Sequence, residues 1–332
     1  MRSSRRAPAL LAAALTLSAC GGEAAGPSAA EAAPSADPAH AGYPLAIDNC
    51  GTDVEVAQPP QRIVTIKSSA TELVLSLGLG DRLVGTAFAD SPLPGSLESA
   101  AAGVPELSDG APSQEAVLEL EPDLVYAGWE SAFSADGAGE RGSLHSLGVG
   151  TYVSPAACQG AGYKPEKLDF EAVFDDIREA GELFDAQPAA DELVAQQQQV
   201  LDSVEPVDGA PAALWYSSGT DTPFVGGGTG APAMIMERLG MENIASDVED
   251  TWTSLSWEVI AERDPEVIIL IDAEWNTAED KIHRLESSPV TSELRAVRTG
   301  SYLRLPFAAS EAGVRNAEAV AELAEQLEAQ RG

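Results

Sequence analysis

Ser113-Gln114-Glu115-Ala116-Val117-Leu118-Glu119-Leu120-Glu121-Pro122-Asp123-Leu124-Val125-Tyr126 aligns without a gap against Ser256-Trp257-Glu258-Val259-Ile260-Ala261-Glu262-Arg263-Asp264-Pro265-Glu266-Val267-Ile268-Ile269. Both copies carry the same physical instructions. A Ser can accept backbone N–H bonds at a helix start, and acids follow in the first turn, where the helix dipole favours them. A Pro then stops the helix, and an acidic residue leads into a buried, β-branched strand. A duplicated helix–strand unit predicts two similar lobes. Its conspicuous shared side chain is a glutamate seven residues before the Pro, Glu115 in one copy and Glu258 in the other.

Outward from the first copy, strand and helix alternate. Tyr43 to Val56 alternates polar and apolar residues and reads as an edge hairpin, closed by Pro59-Pro60. Arg62 to Ile66 is a buried strand that runs into Lys67-Ser68-Ser69-Ala70-Thr71-Glu72, a helix-start sequence, and a helix to Leu77. Leu83 to Phe88, Asp123 to Ala127 and Val149 to Val153 read as further strands. Around the second copy the strands are Ala212 to Tyr216, Val267 to Asp272 and Tyr302 to Leu305, with a terminal helix Asn316 to Gln330. This alternation predicts βαβ units, parallel sheets and an α/β fold. A helix, not a flexible linker, joins the halves, which places a lobe at 43–187, a bridging helix at 188–204 and a second lobe at 205–332.

The first nineteen residues read as a signal peptide. Arg2, Arg5 and Arg6 precede a short Ala/Leu run, and Leu17-Ser18-Ala19-Cys20 matches a bacterial lipobox with Cys20 as the lipidated residue. Residues 20–42 are rich in Ala, Pro, Ser and Glu and read as a flexible tether, which discounts His40 as a ligand. The expected location is therefore the outer face of the cell membrane. Cys50 and Cys158 remain as an even pair in an oxidising compartment, a disulfide unless they are two separate buried thiols.

The net charge of −34, with nineteen basic against fifty-three acidic residues, excludes a nucleic-acid footprint. No P-loop, G-x-S-x-G elbow or H-E-x-x-H motif is present, and His145 and His283 are far apart, so no metal site, cofactor or catalytic group is expected. Gly226-Gly227-Gly228-Thr229-Gly230 contains a form of the dinucleotide fingerprint. Export argues against a nicotinamide cofactor, and a loop that turns or approaches a ligand closely is the preferred reading. Ligands of parallel α/β sheets bind at the carboxyl ends of strands, and in two-lobed proteins the cleft between lobes is the preferred pocket. That rule selects Lys67, Ser68, Ser69, Phe88 and Trp129 from the first half, and Tyr216, Ser217, Ser218 and Trp275 from the second, and Trp252, just before the second copy of the repeat, is another candidate. Arg304 and Arg141 are weaker candidates, and Trp215, inside a strand, is assigned to the core. The aromatics can stack on a flat conjugated ring, while Lys67 and the Ser residues can hold an anionic group.

These stretches together resemble the iron-siderophore and cobalamin class of ABC-transporter substrate-binding lipoproteins, across essentially the whole mature chain. The residues that carry the likeness are RIVTIKSSATELVLSLGLGDRLVG at 62–85, SQEAVLELEPDLVYAG at 113–128, LHSLGVGTYV at 144–153 and SWEVIAERDPEVIIL at 256–270. The resemblance implies two Rossmann-like lobes bridged by a long helix, the class III periplasmic-binding-protein fold. It also implies a monomer that binds a small molecule in the interlobe cleft and delivers it to an ABC permease with its ATPase. Matched residue by residue, Glu115 and Glu258 are the glutamates that dock on permease arginines; otherwise they are ordinary helix-start acids. Within the class the chain looks most like an actinobacterial subgroup proposed to import a deazaflavin cofactor precursor, whose ring and phosphate suit Trp129 and Lys67. A receptor feeding a sensor kinase, or a chelatase-like or hydrolytic lipoprotein, are the rival readings of the same elements.

Overall fold

The structure is a computed structural model and describes residues 42–331. The expected signal peptide, Cys20, His40 and all of the tether but Gly42 lie outside the described residues. Among those described, no helix is long and apolar enough to cross a membrane.

The chain opens with a hairpin, β1 (Leu45–Asn49) and β2 (Thr52–Val56), paired antiparallel. The first sheet follows: β3 (Ile63–Ile66), α1 (Ser68–Ser76), β4 (Leu83–Ala87), α2 (Gly95–Glu98), α3 (Gln114–Glu119), β5 (Leu124–Ala127), α4 (Arg141–Ser146) and β6 (Gly150–Val153). Its strands lie in the order β4-β3-β5-β6, all parallel. Every residue of β3 and β5 is buried, as expected of strands covered on both faces by helices.

Two helices, α5 (Phe170–Leu183) and α6 (Gln187–Ser203), separate this sheet from the second. They pack closely at Gly181, where a Cβ would stand 2.6 Å from the Ala190 methyl. The turn between them is held to the first half by the Tyr43 hydroxyl, which donates to Leu183 O at 2.8 Å, and by Arg82 Nη1, which donates to Phe184 O at 2.8 Å. The far end of α6 meets the second half, where Arg238 Nη2 donates to Val204 O at 2.8 Å. α6 is thus the long helix that bridges the lobes.

The second half contains β7 (Ala212–Ser218), β8 (Phe224–Gly226), α7 (Ala231–Arg238), β9 (Glu242–Asn243), β10 (Trp252–Ser254), α8 (Trp257–Arg263), β11 (Val267–Asp272), α9 (Ala278–Ser287), α10 (Arg295–Thr299), β12 (Tyr302–Pro306) and α11 (Asn316–Arg331). The sheet order is β10-β8-β7-β11-β12, with β9 beside β7. β7, β11 and β12 run parallel, but β8 runs antiparallel to both of its neighbours, β7 and β10. The second sheet is therefore mixed where the sequence predicts a parallel one. β8 and β10 are only three residues long, so neither carries a readable period.

The hairpin is tied to the edge of β6. Asn49 Nδ2 donates to Val153 O at 2.8 Å, and Val153 N donates back to Asn49 Oδ1 at 2.8 Å. Beside it Cys50 and Cys158 form a disulfide with a Cα separation of 5.2 Å, closing 108 residues of chain. A loop of that length corresponds to about 4–5 kcal/mol of removed unfolded-chain entropy.

Candidate functional site

Beneath the space between the sheets the lobes are stitched together by buried polar contacts. Arg315, just before α11, donates from Nε to Glu72 Oε2 of α1 at 2.6 Å and from Nη2 to Pro92 O at 2.6 Å. Ala308 N donates to Ser91 Oγ at 2.8 Å. Desolvation pushes the Glu72 carboxyl up, and the Arg315 guanidinium pulls against it. Between these contacts lies a second ionic group, in which Lys67, 1 % exposed, is paired with Asp90.

Above this seam is a cavity of about 530 Å³ lined from both lobes. It sits at the carboxyl ends of β5, β6, β7, β11 and β12, where backbone leaves regular structure and side chains become free to face a ligand. The first lobe contributes Trp129 and Glu130 after β5 and Ser154 after β6. The second contributes Ser217 and Ser218 of β7, Phe224 of β8 and Trp252 of β10. Trp275 enters after β11, and Phe307 and Glu311 after β12. The aromatics are paired. Phe224 and Trp252 stack with centroids 5.7 Å apart, and Trp275 tilts against Phe307 at 5.4 Å.

Trp129 is held on three sides. Lys67 Nζ lies 3.4 Å from its ring centroid, Phe88 meets it edge-on at 5.6 Å, and its Nε1 donates to Glu311 Oε2 at 2.6 Å. Gly128 permits this arrangement, since a Cβ there would stand 2.6 Å from Ser69 Oγ and 2.9 Å from Lys67 Cβ. Burial pushes the Glu311 carboxyl up to about 7, Asp90 adds to the rise, and Lys67 and the Trp129 N–H act against it.

Of the residues chosen from the sequence, Trp129, Ser217, Ser218, Trp252 and Trp275 line the cavity. Lys67 does not: its ammonium is spent on Asp90 behind Trp129, so it is not placed to hold an anionic group of a ligand. Ser68 and Ser69 lie in the buried first turn of α1, which starts four residues earlier than the sequence predicts. Ser68 Oγ accepts from Asp90 N at 3.0 Å and Ser91 N at 3.1 Å, a structural role. Phe88 supports Trp129 from behind. Tyr216 is fully buried, and its hydroxyl donates to Gly219 O at 2.5 Å. The reason is that β7 runs on to Ser218, which moves the cleft edge two residues along. Arg304 lies on the outward face of β12 in an exposed pair with Glu279 at 2.8 Å, remote from the cavity. Arg141 holds the hairpin, donating to Asn49 O at 2.7 Å and Thr151 Oγ1 at 2.9 Å. Trp215 is core.

The glycine-rich loop has no free N–H groups to offer a ligand at its centre. Gly227 N donates to Thr251 O at 2.9 Å and Gly228 N to Val248 O at 2.9 Å. The glycines allow that approach, because a Cβ on Gly227 would lie 2.2 Å from Asp250 O. Among the described residues no group of His, Cys, Asp and Glu is placed to hold a metal ion.

Sequence reasoning missed Phe224, Phe307 and Glu311. The strand-end rule, applied one step further along β12, leads to Phe307; nothing local marks the other two.

Glu115 and Glu258 are far simpler. Each is the second residue of its helix, exposed, behind a Ser whose hydroxyl accepts the N–H of the residue three positions on. Each helix ends just before a Pro at a residue with left-handed backbone, Glu121 at φ 48° and Asp264 at φ 40°.

Comparison with known proteins gives a consistent picture. The profile of the family described as Periplasmic binding protein matches residues 63–309. An uncharacterized ABC transporter substrate-binding lipoprotein, YvrC, of Bacillus subtilis (strain 168) is 27 % identical over 86 % of this chain and 86 % of its own. A cobalamin-binding protein of Halobacterium salinarum is 29 % identical over 67 % of this chain, a match that spans 57 % of that protein. Among solved structures, an ABC-type Fe3+-hydroxamate transport system from Saccharomonospora viridis DSM 43017 superposes with a TM-score of 0.74. It is 26 % identical, over 86 % of this chain and 99 % of that one.

Proposed function

The chain belongs to the periplasmic binding protein family, and on that premise we propose that it is the solute receptor of an ABC importer, holding a bulky ring-bearing or chelate solute between its lobes. The observation that carries this reading is the cavity at the strand ends of both sheets, walled by two aromatic pairs and Trp129. Such walls favour large flat or caged solutes, because aromatic side chains supply apolar area with little entropy to lose on binding. The relatives named for cobalamin and for a ferric hydroxamate transport system handle solutes of this bulk. The ring of a deazaflavin precursor suits the same walls, but its phosphate meets no cation on them.

Delivery is assigned to Glu115 and Glu258, exposed at matching positions of the two lobes and therefore available to cationic side chains of a permease. Cys20 would carry the lipid that keeps the receptor at the membrane. The seam beneath the cavity ties the lobes through the Glu72–Arg315 pair and the Ser91–Ala308 bond, so solute exchange involves small movements rather than wide opening.

The test is a thermal-shift screen of the purified mature chain against ferric hydroxamates, corrinoids and deazaflavins, with an absorbance spectrum of whatever co-purifies. A solute at a hundred times its Kd adds about 2.7 kcal/mol, a shift of several degrees. No shift with any of these classes, and no chromophore on the purified protein, would overturn the reading.

A further inference from the structure

We propose that the cleft selects a solute carrying a positive charge or none, and that Glu311 is the residue that reads the charge. The inference rests on the solute-binding reading above and names the class of solute. Among the described residues, no Lys, Arg or His lines the cavity, whereas three carboxylates do, Glu130, Asp250 and Glu311. Two of the three are already answered. Asp250 Oδ1 takes an ion pair from Lys164 at 2.9 Å, and Glu130, which accepts the Gln159 N–H at 2.6 Å, also has the Arg141 guanidinium near enough to attract it.

Glu311 differs. Its hydrogen-bond donor is the neutral Trp129 Nε1–H, and the cation beside it, Lys67, is held by Asp90. Lys67, Asp90 and Glu311 together therefore carry one positive and two negative charges when both acids are ionised. The ionic pair that does cross between the lobes, Glu72 with Arg315, is balanced within itself and leaves the excess untouched. A net negative charge in a desolvated site is unfavourable unless something compensates it. A proton on Glu311 is one such compensation, since burial and Asp90 raise its carboxyl to about 7. A cationic group of a solute at the cavity face takes the place of that proton.

The walls act in the same sense. The Phe224–Trp252 and Trp275–Phe307 pairs bring electron-rich ring faces to the cavity, which attract cations and flat rings and offer nothing to an anion. A phosphate, a catecholate chelate or a carboxylate-bearing macrocycle would have to desolvate its charge against this lining without a cationic partner.

The sign of the pH dependence follows. Glu311 attracts a cation only when ionised, so affinity for a cationic solute rises between about pH 5 and 8, and binding below pH 7 releases a proton. An uncharged solute of the same shape shows little slope.

The experiment uses three ferric chelates of nearly equal size on the purified mature chain: ferrioxamine B with its terminal ammonium, its N-acetyl derivative and its N-succinyl derivative. A parallel corrinoid series, cobinamide, cobalamin and cobyrinic acid, covers the other solute class. Binding is read by quenching of tryptophan fluorescence at about pH 8 and about pH 5.5. We expect the order ammonium, acetyl, succinyl at the higher pH, with at least about tenfold between the ends, and a contraction of that span of about tenfold at the lower pH. Glu311→Gln keeps an acceptor for the Trp129 N–H and should remove both the preference and its pH dependence, while leaving the uncharged member within about twofold. The wild-type series decides the question even if that variant is unstable. A carboxylate member that binds as tightly as its ammonium counterpart overturns the charge inference and leaves the solute-binding reading standing. Failure of every member of both series overturns the solute-binding reading, and the inference with it. A Glu311→Gln protein that keeps the wild-type preference removes Glu311 from its role.

Discussion

The two copies of the repeated segment agree at one end and part company at the other. At the helix starts they are interchangeable: a Ser cap, an exposed glutamate in the second position and a left-handed residue before the Pro. At the strand ends they differ. Trp129 is locked between Lys67, Phe88 and Glu311, whereas Trp275 is 60 % exposed and rests on Phe307 alone among the ring contacts. A surface that must meet a two-lobed partner tolerates little difference between lobes. A surface that grips one asymmetric solute needs it.

Charge reversal at both helix starts is the strongest way to break this comparison. Glu115→Lys with Glu258→Lys should abolish uptake in cells and leave solute affinity unchanged, since both residues are exposed and away from the cavity. Uptake at the wild-type rate would remove their docking role.

At the other end the two tryptophans should be unequal. Trp129→Ala should cost about thirtyfold in affinity, on the order of 2 kcal/mol, because it strips a rigid wall and the neutral partner of Glu311. Trp275→Ala should cost about fivefold, on the order of 1 kcal/mol. Titration calorimetry with any solute that passes the screen decides it; equal losses would mean that exposure does not set the contribution.

Smaller effects sharpen the likeness of the helix starts. Ser113→Ala and Ser256→Ala should each lower unfolding stability by about 1 kcal/mol, and by similar amounts, in urea denaturation. The smallest expected effect separates the Pro-preceding residues. Glu121→Gly should be neutral or stabilising by less than about 1 kcal/mol, because glycine relieves the left-handed backbone. Asp264→Gly should be destabilising, since Asp264 accepts from Arg295 N and Arg295 Nε, each at 2.9 Å. A gain at both positions would show that backbone strain outweighs those bonds.

Much of the architecture is readable from sequence because it is periodic or paired. The buried runs of β3, β5 and β11 announce parallel strands, the repeat announces two lobes, and two leftover cysteines in an exported chain find each other. The cavity is less readable. Trp129, Trp252 and Trp275 are legible as aromatics near strand ends. Lys67 misleads because its neighbours in sequence hide that Asp90 folds back onto it from the next strand's exit. Tyr216 misleads through a strand that runs two residues long. Glu311 has no local signature at all. Its character comes from Lys67 and Asp90, more than two hundred positions away, and from the desolvation that packing against Trp129 imposes.

The stitched seam under the cavity has a kinetic consequence. Because Glu72 and Arg315, and Ser91 and Ala308, hold the lobes in register through contacts that no solute has to make, little of the binding energy is diverted into ordering the protein. Entry is then governed by diffusion into a standing cavity, and affinity is expressed mainly as residence time. A solute held that way does not leave on a timescale set by a swinging hinge. Its release becomes work for the membrane partner, which would have to force apart the Glu72–Arg315 pair, whose separation in a dry interface is costly.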